Sequence, residues 1–322
     1  MGRTMILLPN TSSIILKKLI LRVGGACLVL FAATTLTFIT LQLAPGDPVT
    51  AILGGSANPT PETIKEIRTE YGLDKPLIVQ YALHIWHVLS GQLGSSFSQH
   101  MPVKDVLWQQ APPTLKLMLS SLLLAWGFAI LSVTLSAKKP LFDSAFSSLE
   151  TFFAGLPQFW IGIILLWLFA YQLGLLPPAG THGFSSLILP SLSLAIPLGG
   201  FLAQVMRESF KTTFDQPFVL TARARGLSDT AVRFRHVLRH ALLPGVSLST
   251  WAIGALVGNA VAVEFIFSRQ GLGRQLFLAV SMHDMPLVTG IILFISVIYV
   301  IASFLADTLY VIIDPRIQEA RA

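Results

Sequence analysis

Long apolar runs separated by short polar stretches organise this chain. Six runs fall near 20–43, 114–136, 150–173, 186–206, 242–267 and 287–312. Each matches the roughly 20 residues that a helix needs to cross a hydrocarbon core of about 30 Å. The first follows Lys17 and Lys18, as the start of a signal peptide would. It is too long for a signal h-region and no small-x-small site follows it cleanly, so it reads as a retained span. The polar stretch 44–113 is the only sizeable piece outside the runs. Within it, Thr60 is placed to cap a helix opened by Pro61, with Glu62 in the first turn, Ile64, Ile67 and Tyr71 on one face, and Gly72 past the end. Ile78, Ala82, Ile85 and Leu89 then recur at helical spacing with Trp86 beside them. That stripe suits a helix lying on a membrane surface or a lid packed on its own bundle, and the lid is the expectation. Gly155-Leu156-Pro157 is expected to break the third span, and Pro190, Pro197 and Gly199-Gly200 the fourth, as happens where helices line a cavity or pack against neighbours.

Composition agrees with a bilayer as solvent. The chain is 53% hydrophobic and only 12% charged, where a soluble domain carries about 25% charged residues. Its net charge of +6 raises nucleic acid as a partner, but no such motif accompanies it, and a basic excess in a membrane protein usually reflects cytoplasmic loops. Arg3, Lys17, Lys18 and Arg22 precede span one, Lys138 and Lys139 follow span two, Arg207, Lys211 and five further arginines follow span four, and Arg316 and Arg321 end the chain. The alternate loops are poorer in Lys and Arg for their length. Both termini are therefore expected in the cytoplasm, and the larger segment after the first span outside. The single cysteine, Cys27, lies in an apolar run and forms no intrachain disulfide.

The charge concentrates in FVLTARARGLSDTAVRFRHVLRHALLP, residues 218–244, where Arg223, Arg225, Arg233, Arg235 and Arg239 face the single acid Asp229. Pro217 is placed to open a short helix that stops at Gly226, and Ser228 to cap a second that runs to about His240, before Pro244 at the start of span five. Ala222 and Ala224 have side chains small enough to let a partner surface approach. A basic segment between two spans must dock on something in the aqueous phase. One reading is a topology-setting loop that meets anionic lipid; the other is a protein partner.

Bond chemistry is poorly provided for. No GxxxxGK[ST] phosphate loop and no HExxH occur. His84 and His87, three apart, are weak metal candidates that would need a third ligand. Gln204, Asn259, Ser249 and Thr250 offer neutral polar groups to a pore, while Glu264, Asp307 and Glu150 are acids in or beside spans. No chain of acids crosses the middle, which argues against an ion-coupled carrier. No nucleophile and base are paired as a membrane-embedded hydrolase requires.

The segment TARARGL followed by RHALLP resembles the cytoplasmic EAA loop of the permease subunits of ABC importers, in the dipeptide, oligopeptide and nickel branch. The resemblance extends over nearly the whole chain: APGDP at 44–48, YGLDKPLIVQY at 71–81, GLPQFW at 155–160, GLLPPAG at 174–180, LILPSLSLA at 187–195, EFIFSRQGLGR at 264–274, and Asp307 with DPRI at 314–317. Leu220, the pair Pro217-Phe218 and Gln270 depart from the family pattern, which bears on the detail of the docking contact.

The resemblance implies an all-α polytopic protein with the six-helix type I importer fold. Its parts are the N-terminus and first span (1–43), an external segment (44–113), a five-span core (114–312) with a coupling loop at 207–241, and a tail (313–322). It implies a second homologous permease subunit, two ATP-binding subunits that use the ATP, an external solute-binding protein, and no cofactor on this chain. Thr221, Ala222, Arg223, Ala224, Arg225, Gly226, Leu227, Arg235 and His236 would then meet the ATPase. Glu264 and Asp307 match family positions, which favours structural pairing over solute contact. The solute is left open between small peptides and nickel or a metal chelate.

Overall fold

The computed structural model describes residues 11–43, 49, 53, 60–70, 72–136, 140–181 and 183–313. In chain order these form α1 (Thr11–Leu43), α2 (Pro61–Glu70), α3 (Leu77–Leu89), α4 (Val103–Ser136), α5 (Pro140–Ala154), and α6 (Gln158–Leu165), which a π-helical turn (Leu166–Gln172) extends. Then come α7 (Ser185–Phe214), α8 (Pro217–Ala224), α9 (Asp229–Val232), a second π-helical turn (Arg233–Val237), α10 (Leu238–Ile266), α11 (Leu272–Ser281) and α12 (Met285–Ile313). Among the described residues, five stretches are long and apolar enough to cross a membrane, and α5 with α6 form a sixth if a bent pair counts as one span. The chain divides into two compact units, Met1–Val103 with Met282–Val300, and Lys104–Ser281 with Ile301–Ala322.

In the first unit, Thr60 accepts from the Thr63 N–H at 3.2 Å. Gly72, at φ +66°, ends α2 as its sequence predicts, with Leu73 N–H bonding back to the Arg68 carbonyl at 2.8 Å. The α3 stripe departs from the lid expectation. Ile78, Trp86 and Leu89 are 82%, 67% and 77% exposed, and α3 packs through its other face. There Tyr81 and His84 meet the Phe38 ring at 5.4 and 5.5 Å, and Tyr81 hydrogen-bonds Thr35 at 2.8 Å. The periodicity was sufficient for the helix but not for which face is covered, because both faces carry apolar groups. Asp284 ties the loop before α4 to the start of α12. One carboxylate oxygen accepts from Ser96 Oγ (2.6 Å) and from the Ser98 amide (3.0 Å) and hydroxyl (2.8 Å), and the other from Leu287 N–H (3.2 Å).

In the second unit, α7 lies at the centre: Leu194, Ala195, Leu198, Leu202, Ala203 and Met206 are all buried. Contrary to the expected break, α7 runs unbroken for 30 residues through Pro190, Pro197 and both glycines. The glycines serve close packing instead: a Cβ on Gly200 would sit 2.7 Å from the Glu150 carbonyl and 2.9 Å from the Ala154 amide. The third span does break at Gly155-Leu156-Pro157, and its two limbs bend by 99°. It is therefore not one straight rod over 150–173. The second span begins earlier than its apolar run, since α4 has 34 residues, about 51 Å at 1.5 Å per residue.

The helix capped by Ser228 does not stop at His240. It passes through the π-helical turn and Pro244 into α10, one stretch from Asp229 to Ile266. Proline at 244 leaves the His240 carbonyl without its helical donor, and Ser209 Oγ approaches that oxygen at 3.5 Å.

Candidate functional site

The basic segment is a short helix, a glycine turn, and a helix continuous with a span. At the end of α8, Gly226 takes φ +81°, its N–H bonds the Arg223 carbonyl at 2.9 Å, and Leu227 N–H reaches the Ala222 carbonyl at 3.3 Å. These two bonds close a Schellman turn that requires a left-handed residue. Ser228 Oγ then accepts from Ala231 N–H at 3.3 Å to start the next helix.

The residues expected to meet a partner separate into two groups. Thr221, Ala224, Arg225, Gly226 and Arg235 are exposed, and Leu220, Phe218 and Phe234 add apolar surface at 66%, 38% and 53% exposure. Leu227 and His236 are half-buried. Ala222, by contrast, is 7% exposed and belongs to the hydrophobic core, so its small side chain serves internal packing. Arg223 turns inward as well, with its guanidinium 4.9 Å from the Phe214 ring centre and Nε 3.3 Å from Asp229. Arg233 reaches the Thr134 carbonyl at 3.3 Å and so binds the last turn of α4, where a cation is favoured.

Beside this segment lies a buried charge cluster. Arg207 donates from Nε to Glu150 at 2.8 Å, from Nη2 to the other Glu150 oxygen and to Ser132 at 3.1 Å, and from Nη1 to Asp143 at 2.5 Å. Ser132 also donates to Glu150, and Lys211 lies 2.8 Å from Asp143. Glu150 is wholly buried and Arg207 is 5% exposed. A buried carboxylate is tolerable only with such pairing, and removal of one partner costs about 3–5 kcal/mol. Sequence reading missed the pairing, yet a signal existed: Asp143 and Glu150 are seven apart on α5, and Arg207 and Lys211 four apart on α7, so each pair shares a helix face.

Glu264 is wholly buried. Thr114 Oγ1 donates to it at 2.6 Å, Arg274 N–H donates at 3.0 Å, and Leu272 N–H donates to Thr114 at 2.8 Å. The carboxylate thus sits over the N-terminal turn of α11, where a negative charge is favoured. A Cβ on Gly271 would lie 2.2 Å from a Glu264 oxygen, and one on Gly273 2.7 Å from the Val261 Cα. The glycines of EFIFSRQGLGR therefore make room for a carboxylate-capped helix, and Glu264 is a packing residue within this unit. Nothing in the sequence spacing pointed to Thr114.

Of the other pore candidates, Gln204 donates to Thr151 at 3.1 Å, and Asn259 lines a cavity of about 110 Å³ with Gln158, Phe201 and Trp251. Ser249 is taken up by Trp126, whose indole N–H donates to it at 3.1 Å. The Asp307 side chain, APGDP and DPRI lie outside the described residues. His84 and His87 line a cavity of about 450 Å³ in the first unit. Among the described residues no group of three His, Cys, Asp or Glu side chains is set to hold a metal.

The family described as the binding-protein-dependent transport system inner membrane component matches residues 122–319, and its N-terminal counterpart matches residues 15–118. The chain belongs to that family: it is a multi-pass inner-membrane permease subunit of a binding-protein-dependent ABC importer, a transport component rather than an enzyme. Among its relatives, "Putative peptide transport system permease protein" of Brucella abortus is 35% identical over 307 residues, covering 92% of this chain and 97% of its own. The glutathione transport system permease protein GsiC of Salmonella typhimurium is 33% identical over 306 residues, covering 94% of this chain and 98% of its own. The crystal structure of an amino acid ABC transporter with histidines aligns at a TM-score of 0.46 and 18% identity, covering 66% of this chain and 94% of that one.

Proposed function

We propose that this chain forms one half of a pore that imports small peptides, with a second homologous permease as the other half. Two ATP-binding subunits lie below, and an external solute-binding protein delivers the solute from above. The basic loops face the cytoplasm, following the distribution of Lys and Arg. Residues 217–236 seat on an ATPase subunit through Phe218, Leu220, Thr221, Ala224, Arg225 and Arg235.

One observation carries this reading: the exposed face of α8 and its glycine turn leads directly into the helix that becomes span five. A displacement of the docked segment therefore passes to the membrane along continuous backbone. Nucleotide drives transport only so far as it favours one pore state over the other. The peptide assignment draws on the Brucella and Salmonella relatives, named for peptide and glutathione transport.

Uptake of a radiolabelled dipeptide, of labelled glutathione and of nickel in a strain lacking this chain tests the solute. Loss of peptide or glutathione uptake, restored by the chain, is the expected result. Loss of nickel uptake alone overturns the peptide reading.

A further inference from the structure

At the end of α10 away from the basic segment, Arg269 is buried without a matching partner. It is 2% exposed and among the largest fully buried side chains. Its Nη1 donates to the Gly180 carbonyl at 3.4 Å, and its Nε has no hydrogen-bond partner among the described residues. Glu264 lies within electrostatic range, but that carboxylate is already taken by Thr114 and the first turn of α11.

The backbone accounts for the inward aim. Ser268 sits at φ +45°, where glycine is usual. Its N–H bonds the Phe265 carbonyl at 3.1 Å and Arg269 N–H bonds the Glu264 carbonyl at 2.8 Å. This is the same Schellman geometry as at Gly226, and it fixes residue 269 beneath the segment 174–181. The inner part of that segment is held: the Leu175 and Leu176 amides bond the Phe169 carbonyl at 2.9 and 3.3 Å, and Leu176 packs against the core. Its outer end, with Pro178 and Ala179 exposed, meets this turn through Gly180 N–H to the Phe267 carbonyl at 3.4 Å, the Arg269 contact, and Gln270 N–H to Thr181 Oγ1 at 3.1 Å. A guanidinium presents five donors in a fork that matches a carboxylate. With one long hydrogen bond, an unpartnered Nε and a nearby carboxylate that is itself taken, Arg269 is an incompletely satisfied anion-binding group.

We propose that Arg269 is a carboxylate-binding site in this half of the pore, engaged by the C-terminal carboxylate of an imported peptide when the 178–181 end of that segment lifts. Glu264 nearby offsets part of the positive charge, which keeps the contact weak enough to release solute onward. The inference rests on the peptide-import reading above.

The test uses the complete transporter with its own binding protein, reconstituted in liposomes. Uptake of a tripeptide with a free C-terminal carboxylate is compared with uptake of its C-terminal amide, for wild type, Arg269→Gln and Arg269→Lys. Arg269→Gln is expected to lower free-acid uptake about tenfold, the scale of one charge-assisted hydrogen bond. It is also expected to leave amide uptake within about twofold of wild type, and Arg269→Lys, which keeps the charge but not the fork, to retain more free-acid uptake than Arg269→Gln. Equal losses for acid and amide in Arg269→Gln, or unchanged free-acid uptake, overturn the inference while leaving the peptide reading intact. A wild-type transporter that imports neither peptide overturns both.

Discussion

Single residues in this chain often act through what they leave room for. Gly271 is an example, since any Cβ there collides with the Glu264 carboxylate at 2.2 Å. Gly271→Ala is expected to destabilise the purified complex by about 1–3 kcal/mol, as overpacking does. The loss is read as a lower Tm, and an unchanged Tm contradicts the packing role. His84 makes a different prediction. Burial first, and then His87, hold its imidazole below the ordinary value of 6.5. The unfolded segment therefore takes up a proton before the folded one. The packing of α3 on α1 is complete above that value and weakens as pH falls through it. Hydrogen exchange in residues 77–89, corrected for intrinsic rate, should rise below pH 6.5 in wild type and stay flat in His84→Phe. A wild-type profile as flat as the variant's contradicts this.

At the scale of the element, α8 has two faces with separate duties. Ala222 is buried and Ala224 exposed, although the sequence presents them as equivalent small residues two apart. Ala222→Leu forces extra volume into the core and should cost about 1–3 kcal/mol. Ala224→Leu should leave thermal stability unchanged, and similar Tm losses in both variants would show that the faces are misassigned. The charge cluster gives another prediction at this scale. Arg207→Met leaves the buried Glu150 without a cation and with only the Ser132 hydroxyl beside it, with an expected loss of about 3–5 kcal/mol. Arg207→Met combined with Glu150→Leu should recover much of it, whereas additive losses would contradict the pairing.

At the scale of the whole molecule, the spans, the Gly72 and Gly226 stops and the Ser228 cap were legible because apolar length and turn chemistry are local. The unbroken α7 was not. Pro197 and Gly200 carry a helix-breaking signal in isolation, and only the approach of α5 against Gly200 gives the glycine another use. The same limit hid the Glu150–Arg207 pair, the Glu264–Thr114 contact and the inward turn of Ala222, all set by residues distant in sequence. The continuation of the Ser228-capped helix through Pro244 was misjudged for the same reason, because Ser209 supplies the local relief from another helix. That continuity joins the basic segment to span five along one backbone, and the proposed role of the segment requires a separate ATP-binding subunit to move it. The most direct measurement is to purify the chain from its native membrane, as wild type and as Ala224→Trp, and to assay each preparation for a co-purifying ATP-binding subunit. The account predicts that the subunit accompanies the wild type and is lost from Ala224→Trp, while the variant chain stays folded. A wild-type preparation without any ATP-binding subunit, or a variant that keeps it with full peptide uptake, would contradict the account.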